Sequence, residues 1–481
     1  MKDVVTRFAP SPTGYIHIGN VRSAIYPYLL ARQNNGKFIL RIEDTDRERY
    51  VEGATELIED TLKWLGLEWD EGPIVGGDSG PYFQSERLEI YHDYVRKLIK
   101  SGRAYADPTP PEKIDEYRKI CNEQKKPFLY RNFRPEKLDF SFKEGVPIRF
   151  LSDPKDRKWT DAVMGEMAAG PETQDDIILI KKDGYPTYNF AHIVDDAEMG
   201  VTHVMRGVEY LSSTPNYLAL YEALGLKAPI LVSLPHILAP TGNKKLGKRD
   251  GAKSVTEYRD DGVLAEAMLN YLACLGWNDG TEQEIYTKDE LIQRFSLDRV
   301  QNSGARYDET KLLWMNGQWI RRIFDKNGAE ALYNKTEGFW PETAKSYSDE
   351  YRLKVLSIIY DRLKTLGDLR EMTGYFFNDP EIDTEMLKGN KFLKKLSEAE
   401  LEDLMKKSIA KLSSVQDWNE ETLQDALNLL LEETEQKPAV LFSLIRIAIS
   451  FAPFSPALNL TLNVLGRETS LARLNAVARS I

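Results

Sequence analysis

The chain has 481 residues and a formal net charge of −11 at pH 7, and 42% of its residues are hydrophobic. This length exceeds what one hydrophobic core sustains, so several domains are expected. The sequence offers neither a run of about 18 apolar residues nor a secretory signal, which predicts a cytoplasmic protein without a membrane partner. The acidic charge argues only weakly against a nucleic-acid partner, because such binding depends on local basic patches.

The first predicted elements form a strand–helix–strand unit. Residues 4–8 predict a strand, a turn rich in proline and glycine follows, and His17 opens a helix with apolar residues on one face. Asn35 and Gly36 are suited to end that helix in a left-handed turn, and residues 37–42 predict the next strand. A parallel pair of strands joined by a helix indicates an α/β nucleotide-binding domain.

The middle of the chain has a different character. Residues 103–185 contain many prolines, a predicted helix at 111–122 and short strands such as 148–151, which predicts an insertion between two halves of the sheet domain. The second half then has predicted strands and helices at 176–181, 188–198, 202–206, 215–224 and 230–234.

Strand signals nearly disappear after residue 330. Helical spacing recurs at 351–366, 398–412, 422–435 and 438–452. Composition leaves two interpretations open, a helical bundle that serves packing or a second platform that binds RNA.

The first chemical motif runs from Arg7 to Gly14 and continues as His17-Ile18-Gly19-Asn20. It lies where a strand ends and a helix begins, which is where open α/β sheets bind ligands and where free backbone amides favour phosphate. Gly19 permits close approach of the backbone, and His17 can donate to a phosphate oxygen. A lone histidine at a helix start is more often a cap or a surface residue, but this turn favours the functional interpretation.

The second motif is the basic loop Lys244-Lys245-Leu246-Gly247-Lys248-Arg249. Lysine acts as a point charge towards phosphate, and the flanking glycines suit a loop that closes on a polyphosphate. Taken alone, a solvated charge run is the more common explanation.

Together the two motifs resemble the HIGH and KMSKS signatures of class I aminoacyl-tRNA synthetases. Longer segments resemble the bacterial glutamyl-tRNA synthetase family specifically, and they read TRFAPSPTGYIHIGN, RIEDTDRERY, DGYPTYNFAHIVDD, MRGVEYLSSTP, YRDDGVLAEAMLNYLACLGW and KLLWMNGQWI. Two positions depart from the signatures. Asn20 stands where the superfamily has a second histidine, as is common in glutamyl enzymes, and Gly247 stands where the family usually has serine.

The resemblance implies an α/β multidomain fold. A Rossmann-like parallel-sheet catalytic domain is expected at residues 1–102 and 186–238, interrupted by an α+β insertion at 103–185 that binds the acceptor end. Residues 239–325 are expected to hold the KMSKS loop and a stem-contact domain. An all-α anticodon-binding region is expected at 326–481, with a division into two subdomains near 378 as an alternative.

The resemblance also implies the chemistry. Glutamate is activated by ATP with Mg²⁺ to glutamyl-adenylate, which is transferred to the 3′-terminal adenosine of tRNA(Glu) by a monomeric enzyme. Relatives that bind structural zinc carry a cysteine cluster in the insertion, where this chain has only Cys121, so no structural zinc and no other metal ligands are expected.

Site residues follow from the same resemblance. Arg7, Tyr188 and Arg206 are expected to hold the side-chain carboxylate of glutamate, with a structural ion pair as the alternative for both arginines. The other residues expected at the glutamate pocket are Ala9, Ser11, Glu43 and His192, of which Ser11 and Glu43 hold the α-amino group and His192 the α-carboxylate. Those expected at the ATP site are Pro10, His17, Gly19, Asn20, Glu209, Tyr210, Leu238, Lys245 and Lys248. His17, Asn20, Lys245 and Lys248 are the expected catalytic groups, and Arg47 and Arg49 are expected to contact tRNA.

Four rival functions remain open at this stage. A non-discriminating enzyme also glutamylates tRNA(Gln). A glutaminyl-tRNA synthetase shares the catalytic domain but has a β-barrel anticodon region, which the helical tail disfavours. A shorter relative that glutamylates a modified base lacks the anticodon half. A non-catalytic paralogue that only binds tRNA is disfavoured by the retained Arg7, His17, Lys245 and Lys248.

Overall fold

The computed structural model of the chain describes residues 3–14, 16–247, 253–452 and 455–481. Two compact units are present: residues 1–257 with 268–308, and residues 258–267 with 309–481. Among the described residues, no helix combines the length and the apolar character needed to cross a lipid bilayer. The predicted five-part domain division is finer than these two units and stays a prediction.

The first unit begins with the predicted strand–helix–strand element. Strand β1 (Val5–Phe8) and strand β2 (Lys37–Leu40) pair in parallel, with Val5 opposite Lys37 and Phe8 opposite Leu40. Helix α1 (Ile18–Gln33) joins them and starts directly after His17, as predicted. Asn35 adopts the expected left-handed conformation with φ of 51°. The turn therefore returns the chain alongside β1, and the loop after β1 lies at the carboxyl edge of the pair.

The remaining elements of the first unit include every predicted one within a few residues, together with others that were not predicted, such as the strands at 157–161 and 165–169 and the helices at 54–64 and 265–274. The strands are β3 (Ala104–Ala106), β4 (Ile148–Phe150), β5 (Arg157–Asp161), β6 (Gly165–Ala169), β7 (Ile178–Ile180), β8 (His203–Gly207), β9 (Ile230–Leu234), β10 (Ile237–Leu238) and β11 (Ala305–Arg306). The helices are α2 (Ala54–Trp64), α3 (Leu88–Lys100), α4 (Pro111–Glu123), α5 (Tyr188–Glu198), α6 (Thr214–Leu224), α7 (Val255–Asp260), α8 (Ala265–Cys274) and α9 (Lys288–Arg294), the last residues of α7 and the first of α8 belonging to the second unit.

Strands β8 and β9 form the second parallel pair, and β8 lies beside β1. The sheet order is β6-β5-β9-β8. Thr202, just before β8, bonds to Val5 in both directions, with each N–O distance 2.9 Å. Because these strands run the same way, the carboxyl ends of β1, β8 and β9 meet at one edge. This edge is where an open parallel sheet places its ligand.

Segment 103–185 shares its packing with the two halves that it separates. The antiparallel sheet β3-β4-β7 buries its apolar side chains in one core with α3, α5 and α6. The hairpin β5–β6 extends the parallel sheet, because Asp161 pairs with Leu231 of β9. This segment is therefore an insertion in sequence, but it does not form a core of its own.

The second unit is helical, and among its described residues no strand occurs. Its helices include α10 (Glu309–Asn327), α11 (Ala329–Tyr333), α12 (Asp349–Ile359), α13 (Leu369–Met372), α14 (Gly374–Phe377), α15 (Thr384–Gly389), α16 (Glu398–Ser413), α17 (Glu420–Thr434), α18 (Pro438–Ser450), α19 (Leu458–Leu465) and α20 (Arg467–Ala478). Leucine and isoleucine side chains of α16, α17, α18 and α19 form one buried core. Serine and asparagine caps start α16 and α17, which explains why these boundaries were predictable from sequence.

Gly36 should be intolerant of a side chain. A Cβ there would lie 2.0 Å from the carbonyl oxygen of Val4, which is backbone and cannot rotate away. We expect Gly36→Ala to lower the free energy of unfolding by about 1–3 kcal/mol, the usual cost of forcing an extra carbon into a packed site. Differential scanning calorimetry measures this change. Gly374→Ala is the control, because a Cβ at Gly374 meets nothing within 4 Å, and equal behaviour of the two variants would contradict the expectation.

Candidate functional site

A cavity of about 300 Å³ opens at the carboxyl edge of β1, β8 and β9. Its wall comes from the loop after β1, the first turn of α1, the start of α5, and the segments that follow β8 and β9. Residues predicted for both halves of the site line this single cavity, and they are Arg7, Ala9, Pro10, Ser11, Gly19, Asn20, Glu43, Tyr188, Arg206, Glu209, Tyr210 and Lys245. Fold topology thus brings together groups up to 238 positions apart in sequence.

Two predicted residues of the ATP site, His17 and Leu238, are not on this wall. His17 caps α1 and forms an isolated backbone bridge with Ser254. Leu238 belongs to β10, where it pairs with Arg306. Lys248 lies outside the described residues, as does Arg249.

Arg7 is anchored by a buried carboxylate. Its Nε donates to Oδ1 of Asp196 at 2.9 Å, and Nη2 donates to Oδ2 at 3.4 Å. Nη1 donates to the carbonyl oxygen of Met205 at 3.1 Å. The ion pair considered as an alternative for Arg7 therefore exists. A guanidinium has five N–H groups, so two remain for a ligand on the cavity side.

Asp196 belongs to a larger buried network of charges. Although burial alone would raise its pKa, Arg7 and Arg41 hold the pKa of the Asp196 carboxyl well below its usual range. Arg41 reaches Asp196 at 2.9 Å and Glu43 at 3.1 Å. Asp195 bonds to Arg87 at 2.7 Å. Removing one partner of such a pair leaves a buried uncompensated charge, which is strongly destabilising.

Of this network, sequence reasoning selected Arg7 and Glu43, whereas Arg41, Asp195 and Asp196 were quoted only within longer motifs. Arg41 and Glu43 are two positions apart on one strand extension, and Asp195 and Asp196 are adjacent in α5. The available signal was the position of charged side chains within apolar segments. Such groups are almost never fully buried unless they are paired, so these positions indicated buried ion pairs. Their partners come from other elements, so the pairing itself was not visible.

The carboxyl group of Glu43 has a pKa close to neutral pH. Its Oε1 accepts hydrogen bonds from Arg41 at 3.1 Å and from Nε2 of Gln84 at 3.4 Å. Burial raises the pKa of Glu43 to about 7 and outweighs the opposing effect of Arg41 and Arg7. The side chain also lines the cavity, so a cation bound there would favour the ionised form.

Arg206 is a buried guanidinium without a carboxylate partner among the described residues. It is 9% exposed and lines the cavity. Its neighbours are aromatic: the guanidinium carbon lies 4.4 Å from the ring centre of Tyr217 and 5.6 Å from that of Tyr210. The ion-pair alternative considered for Arg206 is therefore not found there. A buried charge without a counter-ion is costly, so this position favours an anionic ligand.

Helix α5 carries His192 and Tyr188, which face Arg206 of strand β8. Tyr188 is on the cavity wall, and its ring is 5.0 Å from Tyr210 and 4.9 Å from His192. His192 is 2% exposed and is absent from the residues that line the cavity. Its predicted direct contact with a ligand carboxylate stays a prediction that this placement does not favour.

The other end of the cavity carries the predicted phosphate-binding groups. Lys245 forms an ion pair of 2.8 Å with Glu209, and His236 lies 3.6 Å from the same carboxylate. Arg22, which sequence reasoning missed, lines this end and donates to the carbonyl oxygens of Leu275 and Pro235. Burial lowers the pKa of Arg22. The basic groups at this end would counter a polyphosphate once the Lys245–Glu209 pair opens.

The two arginines predicted to contact tRNA are already paired. Arg47 and Arg49 are exposed but bond to Asp44 and Asp46 at 3.0 and 2.6 Å. A phosphate at these positions would have to compete with the local carboxylates. Within the part of the chain that the structure describes, no group of three or more histidine, cysteine, aspartate or glutamate side chains could hold a metal ion.

Two family models match the chain. The model described as "tRNA synthetases class I (E and Q), catalytic domain" matches residues 3–314, and the model described as "Anticodon binding domain" matches residues 331–478. The glutamate–tRNA ligase of Dehalococcoides mccartyi strain BAV1 is 41% identical over 487 residues and covers 99% of this chain and 98% of its own. That of Clostridium novyi strain NT is 41% identical over 478 residues, with 98% and 97% covered.

Solved structures give the same relationship. The crystal structure of a glutamate tRNA ligase from Elizabethkingia meningosepticum, in complex with its amino acid, matches with a TM-score of 0.88 at 33% identity and covers 100% of both chains. The glutamate–tRNA synthetase of Elizabethkingia anophelis matches with a TM-score of 0.86 at 32% identity, with 99% and 100% covered.

The raised pKa of Glu43 predicts a pH-dependent stability. Between pH 4.5 and about 7 the folded state keeps a proton that the unfolded state has lost, so this contribution is present below pH 4.5 and is lost as pH rises through 7. The free energy of unfolding of the native protein should fall by up to ~3 kcal/mol across this window, and that of Glu43→Gln should lack this fall. Urea unfolding at several pH values measures it, with Glu52→Gln as an exposed control. Parallel pH curves for Glu43→Gln and the native protein would refute the expectation.

Proposed function

Since the chain belongs to the glutamate–tRNA ligase family of class I tRNA synthetases, we propose that its cavity holds glutamate against ATP with the residue roles given below. The family membership carries the activity, which is ATP-dependent joining of glutamate to tRNA. The observation that carries the residue assignment is the Arg206 guanidinium, buried on the cavity wall without a carboxylate partner among the described residues.

The side-chain carboxylate of glutamate lies between Arg7 and Arg206 in this proposal. A guanidinium binds a carboxylate through two parallel hydrogen bonds, which an uncharged amide cannot match. Arg7 retains two N–H groups after its bonds to Asp196 and Met205. Tyr188 supplies a hydroxyl from the same wall. These groups select a second carboxylate on the amino acid.

Glu43 and Ser11 hold the α-amino group, with Ala9 shaping the same side of the pocket. All three line the cavity. An ammonium group beside Glu43 lowers the pKa of that carboxyl from about 7 and completes the ion pair. Glutamate binding is therefore expected to weaken as Glu43 becomes protonated in acid.

The nucleotide occupies the other end of the cavity. Pro10, Gly19 and Asn20 lie by its phosphates, with His17 at the start of α1. Glu209, Tyr210 and Leu238 are assigned to the adenosine. The glutamate α-carboxylate attacks the α-phosphate and pyrophosphate leaves, so negative charge grows on the phosphate oxygens. Lys245 and Lys248 stabilise that charge, and catalysis is mainly positioning and electrostatic stabilisation.

Magnesium is expected to enter with the ATP phosphates. Such an ion is usually held by one or two carboxylates together with substrate phosphates rather than by a protein cage. The described residues contain no cluster able to hold a metal alone, so no step is assigned to the ion. The proposed enzyme needs no structural zinc.

Transfer of glutamate to the ribose of the terminal adenosine follows in the same cavity. The segment at 103–185 is assigned to the acceptor end of the tRNA, and the helical region matched by the anticodon model at 331–478 to its anticodon. Single-stranded bases are read there by stacking and by hydrogen bonds to their edges. We expect a monomer that works in the cytoplasm, where its tRNA substrate is.

A second candidate is the non-discriminating form of the same activity, which also charges tRNA(Gln). The residues that distinguish the two forms lie among anticodon contacts in the helical region. Charging purified tRNA(Glu) and tRNA(Gln) side by side separates them. Charging of tRNA(Glu) alone supports the discriminating form, and equal charging of both supports the other.

Arg206→Ala should weaken the use of glutamate by orders of magnitude. Truncating one partner of a buried charge pair costs about 2–5 kcal/mol in binding. ATP–pyrophosphate exchange with tRNA present measures kcat/KM for glutamate, and the KM for ATP should be nearly unchanged. Arg206→Lys is the matched variant, since it keeps the charge but loses the two-pronged donor, and it should recover activity only in part. Unchanged glutamate kinetics in Arg206→Ala would refute the assignment.

Binding of tRNA should weaken steeply with salt despite the net charge of −11. Phosphate contacts release counter-ions, so log affinity falls linearly with log salt. Arg134 and Arg473 cannot contribute fully, because they are paired with Asp176 and Asp379.

Arg131 has no ion pair among the described residues, and Arg131→Ala should reduce the salt slope by about 1. Fluorescence titrations of tRNA(Glu) at several salt concentrations measure the slope. Arg131→Lys is the matched control, because it keeps the positive charge and should leave the slope nearly unchanged. Affinity independent of salt would contradict this expectation.

A further inference from the structure

His192 lies between a buried carboxylate and the unpaired guanidinium. It is on helix α5 one turn before Asp196, and it is 2% exposed. Its Nε2 is 3.4 Å from Nη1 of Arg206. Its Nδ1 is 3.8 Å from Oδ2 of Asp196, a distance that is too long for a hydrogen bond but close enough for electrostatic attraction.

These distances determine which ring nitrogen carries the proton. A guanidinium only donates, so Nε2 of His192 must accept from Arg206. The proton of the neutral ring is then on Nδ1, facing Asp196. Burial lowers the pKa of His192 to about 3, so the ring stays neutral at any working pH and keeps Nε2 free to accept.

The neutral imidazole of His192 affects Arg206 differently from a carboxylate in the same place. A carboxylate in direct contact with Arg206 would compensate its charge and compete with an anionic ligand. An imidazole holds the guanidinium by a hydrogen bond while leaving its positive charge available. Arg7, in contrast, is held by Asp196 itself.

We propose that Asp196 and His192 are positioning residues that set the spacing of the two carboxylate-reading arginines, with Asp196 holding Arg7 directly and His192 holding Arg206 without neutralising it. This inference rests on the proposed function, in which Arg7 and Arg206 read the side-chain carboxylate of glutamate. It gives His192 a role different from direct contact with the amino acid.

Packing is the competing explanation for His192. Its ring meets Tyr217 edge to face at 4.6 Å and Tyr188 at 4.9 Å. A ring without nitrogen atoms would satisfy these contacts equally well. His192→Phe therefore keeps the packing and removes the acceptor, whereas His192→Gln removes the ring and keeps a carbonyl oxygen able to accept from Arg206.

The test uses the full-length enzyme with tRNA(Glu), ATP and glutamate. We expect His192→Phe to raise the KM for glutamate by about 10- to 100-fold, the usual effect of losing a hydrogen bond to a charged group. The KM for ATP should stay within about twofold. Inhibition by glutamine should weaken much less than glutamate binding, because an amide gains little from the guanidinium charge. His192→Gln should recover most of the affinity for glutamate.

Two outcomes would assign His192 to packing alone and overturn the proposal. One is an equal loss of glutamate affinity in His192→Phe and His192→Gln, and the other is an equal loss of affinity for glutamate, glutamine and ATP. In the Arg206→Ala background, His192→Phe should have little further effect on the KM for glutamate, and additive losses would also overturn it. If His192→Phe does not fold, His192→Leu, which also lacks a hydrogen-bond acceptor, and its combination with Arg206→Ala provide the same cycle.

Different results would contradict the proposed site assignment and the positioning role of His192. If Arg206→Ala leaves glutamate kinetics unchanged, the proposed site assignment is wrong. If Arg206→Ala is severe while His192→Phe is silent, the assignment stands and only the positioning role of His192 is lost.

Discussion

The buried carboxylate of Asp196 is the interaction on which the site depends. It receives Arg7 from β1 and Arg41 from the end of β2, and it is itself carried by α5. A carboxylate this deeply buried persists only when it is paired. The pairing therefore ties the first parallel strand pair to the helix of the second half, and it places the groups of the cavity wall relative to one another.

The network around Asp196 is not electrically balanced. Three guanidinium groups, those of Arg7, Arg41 and Arg87, pair with three carboxylates, those of Glu43, Asp195 and Asp196. A fourth guanidinium, that of Arg206, joins this network only through its hydrogen bond to His192. Glu43 is half protonated near pH 7, which leaves still less negative charge. A bound dicarboxylic amino acid would bring a carboxylate to Arg206 and an ammonium group to Glu43. The cavity wall thus presents a positive group and a carboxyl group to a ligand that carries both charges.

The two ends of the cavity are built differently. At the amino-acid end the charged groups are buried and held by several hydrogen bonds, so their positions are set before the ligand arrives. At the nucleotide end Lys245 is more than half exposed and is paired with Glu209 across the opening. A surface pair of this kind contributes little to stability, so it can exchange for phosphate without a large loss. Under the proposed assignment, the amino-acid end therefore selects with groups that are already in place, whereas Lys245 at the other end exchanges its carboxylate partner for phosphate.

Local patterns in the sequence determined the secondary structure and much of the site. Helix spacing, caps and the Asn35-Gly36 turn are short-range properties, so α1, α5, β9, α16, α17 and α18 were predicted within a few positions. The short helices α13, α14 and α15 and the last two, α19 and α20, were not predicted. The site residues were found because the motifs that contain them resemble those of a known family. Only the tertiary structure decided which of them share a cavity, that Arg7 is held by Asp196 while Arg206 lacks a carboxylate among the described residues, and that His192 lies off the wall. Burial and pairing depend on elements that are distant in sequence, and no local pattern records which charge will meet which.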